Sequence, residues 1–189
     1  MKRIVRDFVA LFNVLWYRDF PLAVDWKERG RRAEWTTHIA VCVRSAADLL
    51  GYFTHFEAGT RTDAVIKDAN GRIIANVEWE WKQPYEDGFN ELEKLQQARK
   101  DTDFSVLVTY SRDEHHTSNM KRISDAWKNC DEPLLLFLVR YSWVVGREFD
   151  TLETYVVRKG RCKKLRAQPA LPWNAESTRW AKFDRANDR

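Results

Sequence analysis

Four side chains in neighbouring segments carry groups that can do chemistry together: Asp63 in RTDAVI, and Glu78, Glu80 and Lys82 in NVEWEWK. Side chains on a β-strand alternate between its faces, so Glu78, Glu80 and Lys82 project from one side at intervals of roughly 6.5 to 7 Å. Between the two segments stands Ala69-Asn70-Gly71-Arg72, and Asn-Gly is the pair that best tolerates the positive φ angles of a type I′ two-residue hairpin loop. Pairing Ala69 with Arg72 across that loop places Asp63 opposite Glu78 on the same face, with Glu80 diagonal to both. Opposed carboxylates repel, and this arrangement calls for a cation. A hard ion such as Mg²⁺ takes oxygen ligands, keeps several waters, activates one of them and stabilises charge developing on phosphorus. Lys82 would orient or help deprotonate the attacking water. The plain alternative is an amphipathic strand with Trp79 and Trp81 turned to the core and three charges to water. Against it stands Asp63, a third acid on the same patch with no cation among its opposed positions.

The elements that must position these residues follow from periodicity. Ile4, Phe8, Leu11, Phe12, Leu15 and Trp16 recur at helical spacing over 3–18, in a helix that Pro21 helps to end, and the basic turn KERGRR follows. A second helix runs from about Arg31 to Leu50 along Trp35, Ile39, Val43, Ala46 and Leu50, with Gly51 at its stop. YFTHFE, RTDAVIK and RIIANVEWEWK read as an antiparallel meander. A helix on Phe89, Leu92, Leu95 and Ala98 comes next, then the buried strand FSVLVTY, a short helix around Met120 to Lys128, and the buried strand LLLFLVRY. WVVG, LETYVV and CKKL predict further strands. The order describes an α/β protein around a mixed sheet.

At these residues the chain resembles the PD-(D/E)xK nuclease superfamily, also called restriction-endonuclease-like. The matching positions are Asp63 and, seventeen residues later, Glu80-Trp81-Lys82. The resemblance implies a restriction-endonuclease-like core, a mixed central sheet flanked by helices in αβββαβ order, to which this chain adds an N-terminal helix and a C-terminal β extension. It further implies that Asp63 and Glu80 coordinate Mg²⁺ or Mn²⁺ and that Lys82 is catalytic in hydrolysis of DNA phosphodiesters. Thr62 stands where the motif has proline, a position that varies within the superfamily. Glu78 has no fixed family role and is read as an auxiliary metal ligand. Glu34 and His38, one turn apart on the second helix, are candidates to approach the site, as acidic or histidine residues of the first core helix do in some relatives; an exposed helix pair is the commoner arrangement. Asn90, Lys94 and Gln97 share the polar face of the following helix, where a solvated face is favoured over contact with a phosphate or the metal shell.

Composition bounds the rest. At 189 residues and 44% hydrophobic, the chain reads as a single nuclease-like domain, with an N-terminal helix and basic turn over 1–30, a catalytic core over 31–142 and an extension over 143–189. Three scattered cysteines without a CxxC pair argue against a disulfide framework or zinc knuckle and for an intracellular, cytoplasmic setting. Arg6, Asp7 and Asn13 interrupt the N-terminal apolar stretch, against a signal peptide or membrane span. His115-His116 beside Asp113 and Glu114 reads as a polar loop, since adjacent residues diverge. No GxxxxGK, GxSxG or Cys-His signature occurs. The net charge of +4 divides into +7 from residue 158 onward and −3 before it. Arg158, Lys159, Arg161, Lys163, Lys164 and Arg166 put six cations in nine residues, a candidate nucleic-acid contact together with Arg29, Arg31 and Arg32; a solvated hairpin is the equal alternative. DNA is the expected partner, with RNA, a homodimer and the choice of endonuclease or exonuclease left open. A non-catalytic nucleic-acid-binding module and a protein-interaction or assembly protein are the competing classes.

Overall fold

The computed structural model describes residues 1–18, 20, 32–58, 62–144 and 146–176. Pro21, the KERGRR turn up to Arg31 (Arg29 included), and the polar C-terminal tail from 177 onward lie outside the described residues. Helix α1 spans Arg3–Arg18 and α2 Arg32–Leu49. The meander is β1 (Phe53–Ala58), β2 (Thr62–Lys67) and β3 (Ile73–Trp79). Then come α3 (Glu91–Ala98), β4 (Phe104–Arg112), α4 (His116–Ala126), β5 (Leu134–Trp143), β6 (Arg147–Arg158) and β7 (Arg161–Pro169). All seven strands form one sheet in chain order. Strands β1 to β3 are antiparallel, β3, β4 and β5 run parallel, and β5 to β7 are antiparallel again. This is the mixed α/β arrangement expected from the alternating and continuous apolar runs.

Each face of the sheet is covered by two helices. Phe8 and Phe12 of α1 pack on Phe137 of β5, Phe12 with ring centroids 4.0 Å apart, and Trp16 donates its indole N–H to Ala170 O at 2.8 Å. Trp35, Ile39, Val43 and Ala46 of α2 join the same core. On the other face Leu92 and Leu95 of α3 and Ile123 of α4 meet Leu107, Leu136 and Tyr155. Helix α4 begins at His116, four residues before the apolar spacing indicates. The reason is Asn119, fully buried and hydrogen-bonded to the Tyr85 amide, Gln83 and Ser111, which hides the inward face behind a polar residue.

The hairpin that sets the site is not the expected two-residue loop. Asp68 faces Arg72 (amide to carbonyl, 3.0 Å), Gly71 N–H donates to Asp68 O at 3.0 Å, and only Gly71 has positive φ, +79°. The Asp68 carboxylate accepts from the amides of Asn70 and Arg72 at 2.9 and 3.0 Å, which favours a three-residue turn with Asn70 outside the left-handed region. A bulge at Ile74 then shifts the ladder back, so Ile66 faces Ala75, Val65 faces Asn76 and Ala64 faces Val77. Two one-residue departures cancel, and the register toward Asp63 and Glu78 is the one expected. A Cβ at Gly71 meets nothing within 4 Å, so Gly71→Ala tests the backbone alone. Urea unfolding should show a loss of about 1 kcal/mol, with a smaller loss for Gly71→Asn.

Candidate active site

Asp63 is the second residue of β2, one residue beyond the last backbone pair of the ladder with β3, Ala64 with Val77. Its side chain continues the pairing that the backbone gives up: the Trp79 amide donates to Asp63 Oδ2 at 2.7 Å. Glu78 lies one step back on β3, on the face that looks toward α3. Asn76, two residues earlier on that face, donates to Ala98 O at 2.7 Å and fixes the helix against the strand. Glu78 is completely buried. Lys94 Nζ stands 3.5 Å from Glu78 Oε2 and 3.3 Å from Glu91 Oε1, while Glu91 Oε2 accepts from the Asn90 amide at 3.0 Å. Glu78 Oε1 is buried without a hydrogen-bond partner among the described residues.

The electrostatics follow from that enclosure. Burial, and then the charge of Asp63, push the Glu78 carboxyl up to about 8, against the pull of Lys94. Burial also raises Asp63, partly offset by the Trp79 N–H, by Lys94 and by a hydrogen bond with Glu78. Near neutral pH the two acids therefore hold a proton between them. Burial alone would lower the Lys94 amine, but Glu78, Glu91 and Asp63 outweigh it and keep it cationic.

A cleft of about 190 Å³ opens beside this pair at the end of the sheet. Arg32, Thr36 and Ile39 of α2 form one wall, Glu91 and Lys94 of α3 another, and Asp63, Trp79, Glu80, Trp81 and Tyr110 its floor. Asp63 and Glu80 thus share the cleft, as their spacing predicted. Strand β3 ends at Trp79, however, and the Glu80 carboxylate folds back: its Oε1 accepts from the amides of Trp81 at 2.6 Å and Lys82 at 3.1 Å and lies 3.6 Å from Arg32 Nη2. That turn ends the alternation and corrects the expectation for Lys82. Its side chain is exposed, its amine lies over Gly88, and it is absent from the cleft. Lys94 is the amine that meets the carboxyls.

Other candidates separate in the same way. Helix α2 turns Arg32, Thr36 and Ile39 to the cleft, which leaves Glu34 out of it. His38 is buried among Trp16, Phe20 and Trp35, with Cys42 Sγ 3.8 Å from its Nδ1, and belongs to the core. Gln97 is exposed one turn beyond Lys94 and does not line the cleft. The basic segment is the edge strand β7 and its hairpin. Lys164 lies in the cross-sheet row of Glu78, through Leu107, Leu136 and Tyr155, four strand spacings or about 19 Å away. Arg158, Lys159 and Arg161 turn at the opposite end of the sheet. Lys164 is paired with Glu153 at 2.5 Å and Lys159 with Asp131 at 3.1 Å. Lys163 faces the α1 side beside Val156, whereas Lys164 stacks on Tyr155 on the other. The six cations do not form one patch.

Glu91 is the participant that periodicity does not point to, and Lys94 the one it places on a helix face where solvent is favoured. The available signal was a lysine between the buried Leu92 and Leu95, one turn after an acid, which reads equally as a solvated helix face. Cys42, Cys130 and Cys162 are free thiols. Among the described residues no helix is long and apolar enough to cross a membrane.

Among the described residues no three His, Cys, Asp or Glu side chains converge as a finished metal cage. The donors at the cleft are all oxygens, two of the acids share a proton, and one buried oxygen lacks a partner. Such a set suits a hard cation that keeps most of its waters and needs only one or two carboxylates.

Fold and site define a mixed α/β protein with a seven-stranded sheet and an acidic cleft at the sheet's end. No family model and no curated protein matches the chain. Among solved structures it is similar to the YaeQ protein from Pseudomonas syringae, 13% identical over 67% of this chain and 74% of that one, with a TM-score of 0.34. A second is the YaeQ protein from Xanthomonas axonopodis pv. citri, at 10% identity over 61% and 69%, with a TM-score of 0.24. At these values the likeness carries no argument about function.

Proposed function

We propose that this chain is a Mg²⁺- or Mn²⁺-dependent nuclease of the restriction-endonuclease-like class that hydrolyses DNA. The observation that carries the reading is the Asp63–Glu78 pair: a half-buried carboxyl at an open cleft facing a fully buried one across β2 and β3, with a shared proton, an unpartnered Glu78 oxygen and an ammonium group beside them. Asp63 and Glu78 would hold the ion, with Glu80 the third acid at the cleft. Bound there, such an ion would supply a water of lowered pKa and offset the charge that develops on phosphorus.

The chain's own residues do the remainder. The Trp79 N–H fixes the Asp63 carboxylate so that no rotamer search precedes binding. Lys94, kept protonated by three acids, places a positive charge at the cleft wall where a non-bridging phosphate oxygen becomes more negative. Lys94 thus takes the role that spacing gave to Lys82. Arg32, 70% exposed at the cleft mouth, is positioned to meet the phosphate chain.

One observation favours a second reading, a nucleic-acid-binding module without catalysis: the Glu80 carboxylate is turned onto its own backbone and toward Arg32. Incubating purified protein with plasmid and with labelled linear and branched DNA separates the two. Cleavage with Mg²⁺ or Mn²⁺ that stops in EDTA and in a folded Asp63→Asn variant is expected. Salt-dependent gel shifts without cleavage under either metal would favour the binding module.

A further inference from the structure

Two polar groups beside the cleft have no use in the chemistry above. The first is the Tyr110 hydroxyl on the cleft floor. The residue is 1% exposed, and among the described residues nothing hydrogen-bonds its oxygen, although an unpaired buried hydroxyl is costly. The second is Arg147 at the start of β6. Its guanidinium lies 4.0 Å over the Trp81 ring and 4.9 Å over Tyr141, it donates to Trp81 O at 3.4 Å, and among the described residues it forms no ion pair. Glu86 is the acid that acts on it, and Glu86 Oε1 is already engaged by the Gln83 backbone and side-chain amides. The Arg147 guanidinium also acts on the Tyr110 hydroxyl, so the two donors share one region. A hydroxyl without a partner next to a guanidinium that has one long hydrogen bond and no ion pair among the described residues points to an anion, and a planar guanidinium fork matches a phosphate.

Beyond this pair the rim carries exposed rings. Trp143 pairs with Arg147 across β5 and β6 and is 51% exposed. Tyr85, 37% exposed, stacks on His115 with centroids 4.3 Å apart, and its amide is held by Asn119 at 2.9 Å. Exposed rings on an ordered rim next to phosphate donors match a ligand that alternates anionic groups with planar faces. In duplex DNA those faces are covered by their neighbours; in a single strand they are free. The residues that would follow a duplex backbone, on β7, lie at the far edge of the sheet.

We propose that the rim from Arg147 to Trp143, beside Tyr110, binds single-stranded DNA, with the part-exposed Arg147 holding a backbone phosphate next to the cleft and Trp143 and Tyr85 stacking unpaired bases. The proposal rests on the nuclease reading for its biological sense and makes single strands or single-stranded tails the substrate class. Its test needs no catalysis. Fluorescence anisotropy in EDTA with a labelled 20-nucleotide single strand and the matching blunt duplex should show the single strand bound at least about tenfold more tightly. Arg147→Gln should weaken single-strand binding by about tenfold, and Trp143→Ala, at an exposed position that the fold does not depend on, by about fivefold. Duplex binding should change less than twofold in both. Equal affinity for the two forms, an unchanged affinity in folded Trp143→Ala, or equal competition by polyglutamate would overturn the proposal. Duplex cleavage without single-strand preference would sink this inference and leave the nuclease reading standing. Single-strand preference with no cleavage under any metal would do the reverse.

Discussion

Glu78→Gln and Asp63→Asn should each lower metal-dependent cleavage by about 10³-fold or more, Lys94→Met by about 10² to 10³, and Lys82→Ala by less than about threefold. The ordering follows from position. Asp63 lines the cleft and Glu78 is buried directly behind it, and losing either charge leaves a cation with one carboxylate fewer where the fold presents the pair. Lys94 bridges Glu78 and Glu91 and is the lysine that lines the cleft among the described residues, so its removal deletes the ammonium beside the reacting phosphate and leaves buried acids less compensated. Lys82 is exposed over Gly88 on the loop after β3, and its truncation removes only a surface charge. Single-turnover assays at saturating enzyme, with thermal melts to verify folding, separate chemistry from binding. An inactive Lys82→Ala beside an active Lys94→Met would return the amine role to Lys82 and remove Lys94 from the site. DNA binding in EDTA should survive all four substitutions, because the phosphate and base contacts proposed for the rim lie on other residues.

The contrast between Lys82 and Lys94 also marks what was legible in the sequence. Register was legible, because the apolar alternation of Ala64, Ile66, Ala75 and Val77 permits only one pairing that keeps these side chains in the core. The turn that joins the strands has three residues rather than two, and the register survives because the extra turn residue enforced by Asp68 is cancelled by the bulge at Ile74. What failed was extrapolating alternation past the strand's end. Glu80 caps the amides of Trp81 and Lys82 with its own carboxylate, and a period of two has no meaning beyond such a turn. Lys94 was visible only as part of a polar helix face. The depth of Glu78 beneath it depends on how α3 lies on β3, which the Asn76 to Ala98 hydrogen bond sets and spacing does not. The basic run is divided for a related reason. Six cations in nine residues look like a patch in one dimension, but an edge strand deals them to both faces and the hairpin carries three to the far end of the sheet. His38 and Glu34, paired by a helical turn, were the wrong stripe of α2; the stripe four residues apart from Arg32 to Thr36 reaches the cleft.

The metal-free protein should lose stability as pH rises from about 5 to 8.5, and Glu78→Gln should abolish most of that loss. In the unfolded chain Glu78 ionises near 4.5; in the folded chain burial and Asp63 hold its proton up to about 8. Below pH 4 both states are protonated and the residue contributes nothing to the difference. Between 4.5 and 8 the unfolded state gives up its proton while the folded state keeps it, so the unfolded state gains at each step. Above pH 8 both are ionised and the penalty is constant, at most about 5 kcal/mol by linkage. Asp63, also raised, acts with the same sign. A neutral amide at 78 has no proton to retain and can still donate to Asp63, so Glu78→Gln and wild type should melt together at pH 4, with the variant higher by about 5 to 10 °C at pH 8.5 in EDTA. A wild-type to variant gap that does not change with pH would mean that Glu78 titrates as an ordinary acid, and the case for a strained carboxyl pair would fail. Mn²⁺ enters the same balance from the other side. An ion that binds the ionised pair must displace the shared proton, so millimolar Mn²⁺ should raise the wild-type melting temperature at pH 8.5, much less at pH 5.5, and not at all in a folded Asp63→Asn, Glu78→Gln double variant. A pH-independent Mn²⁺ shift that persists in the double variant would locate the ion elsewhere on the protein.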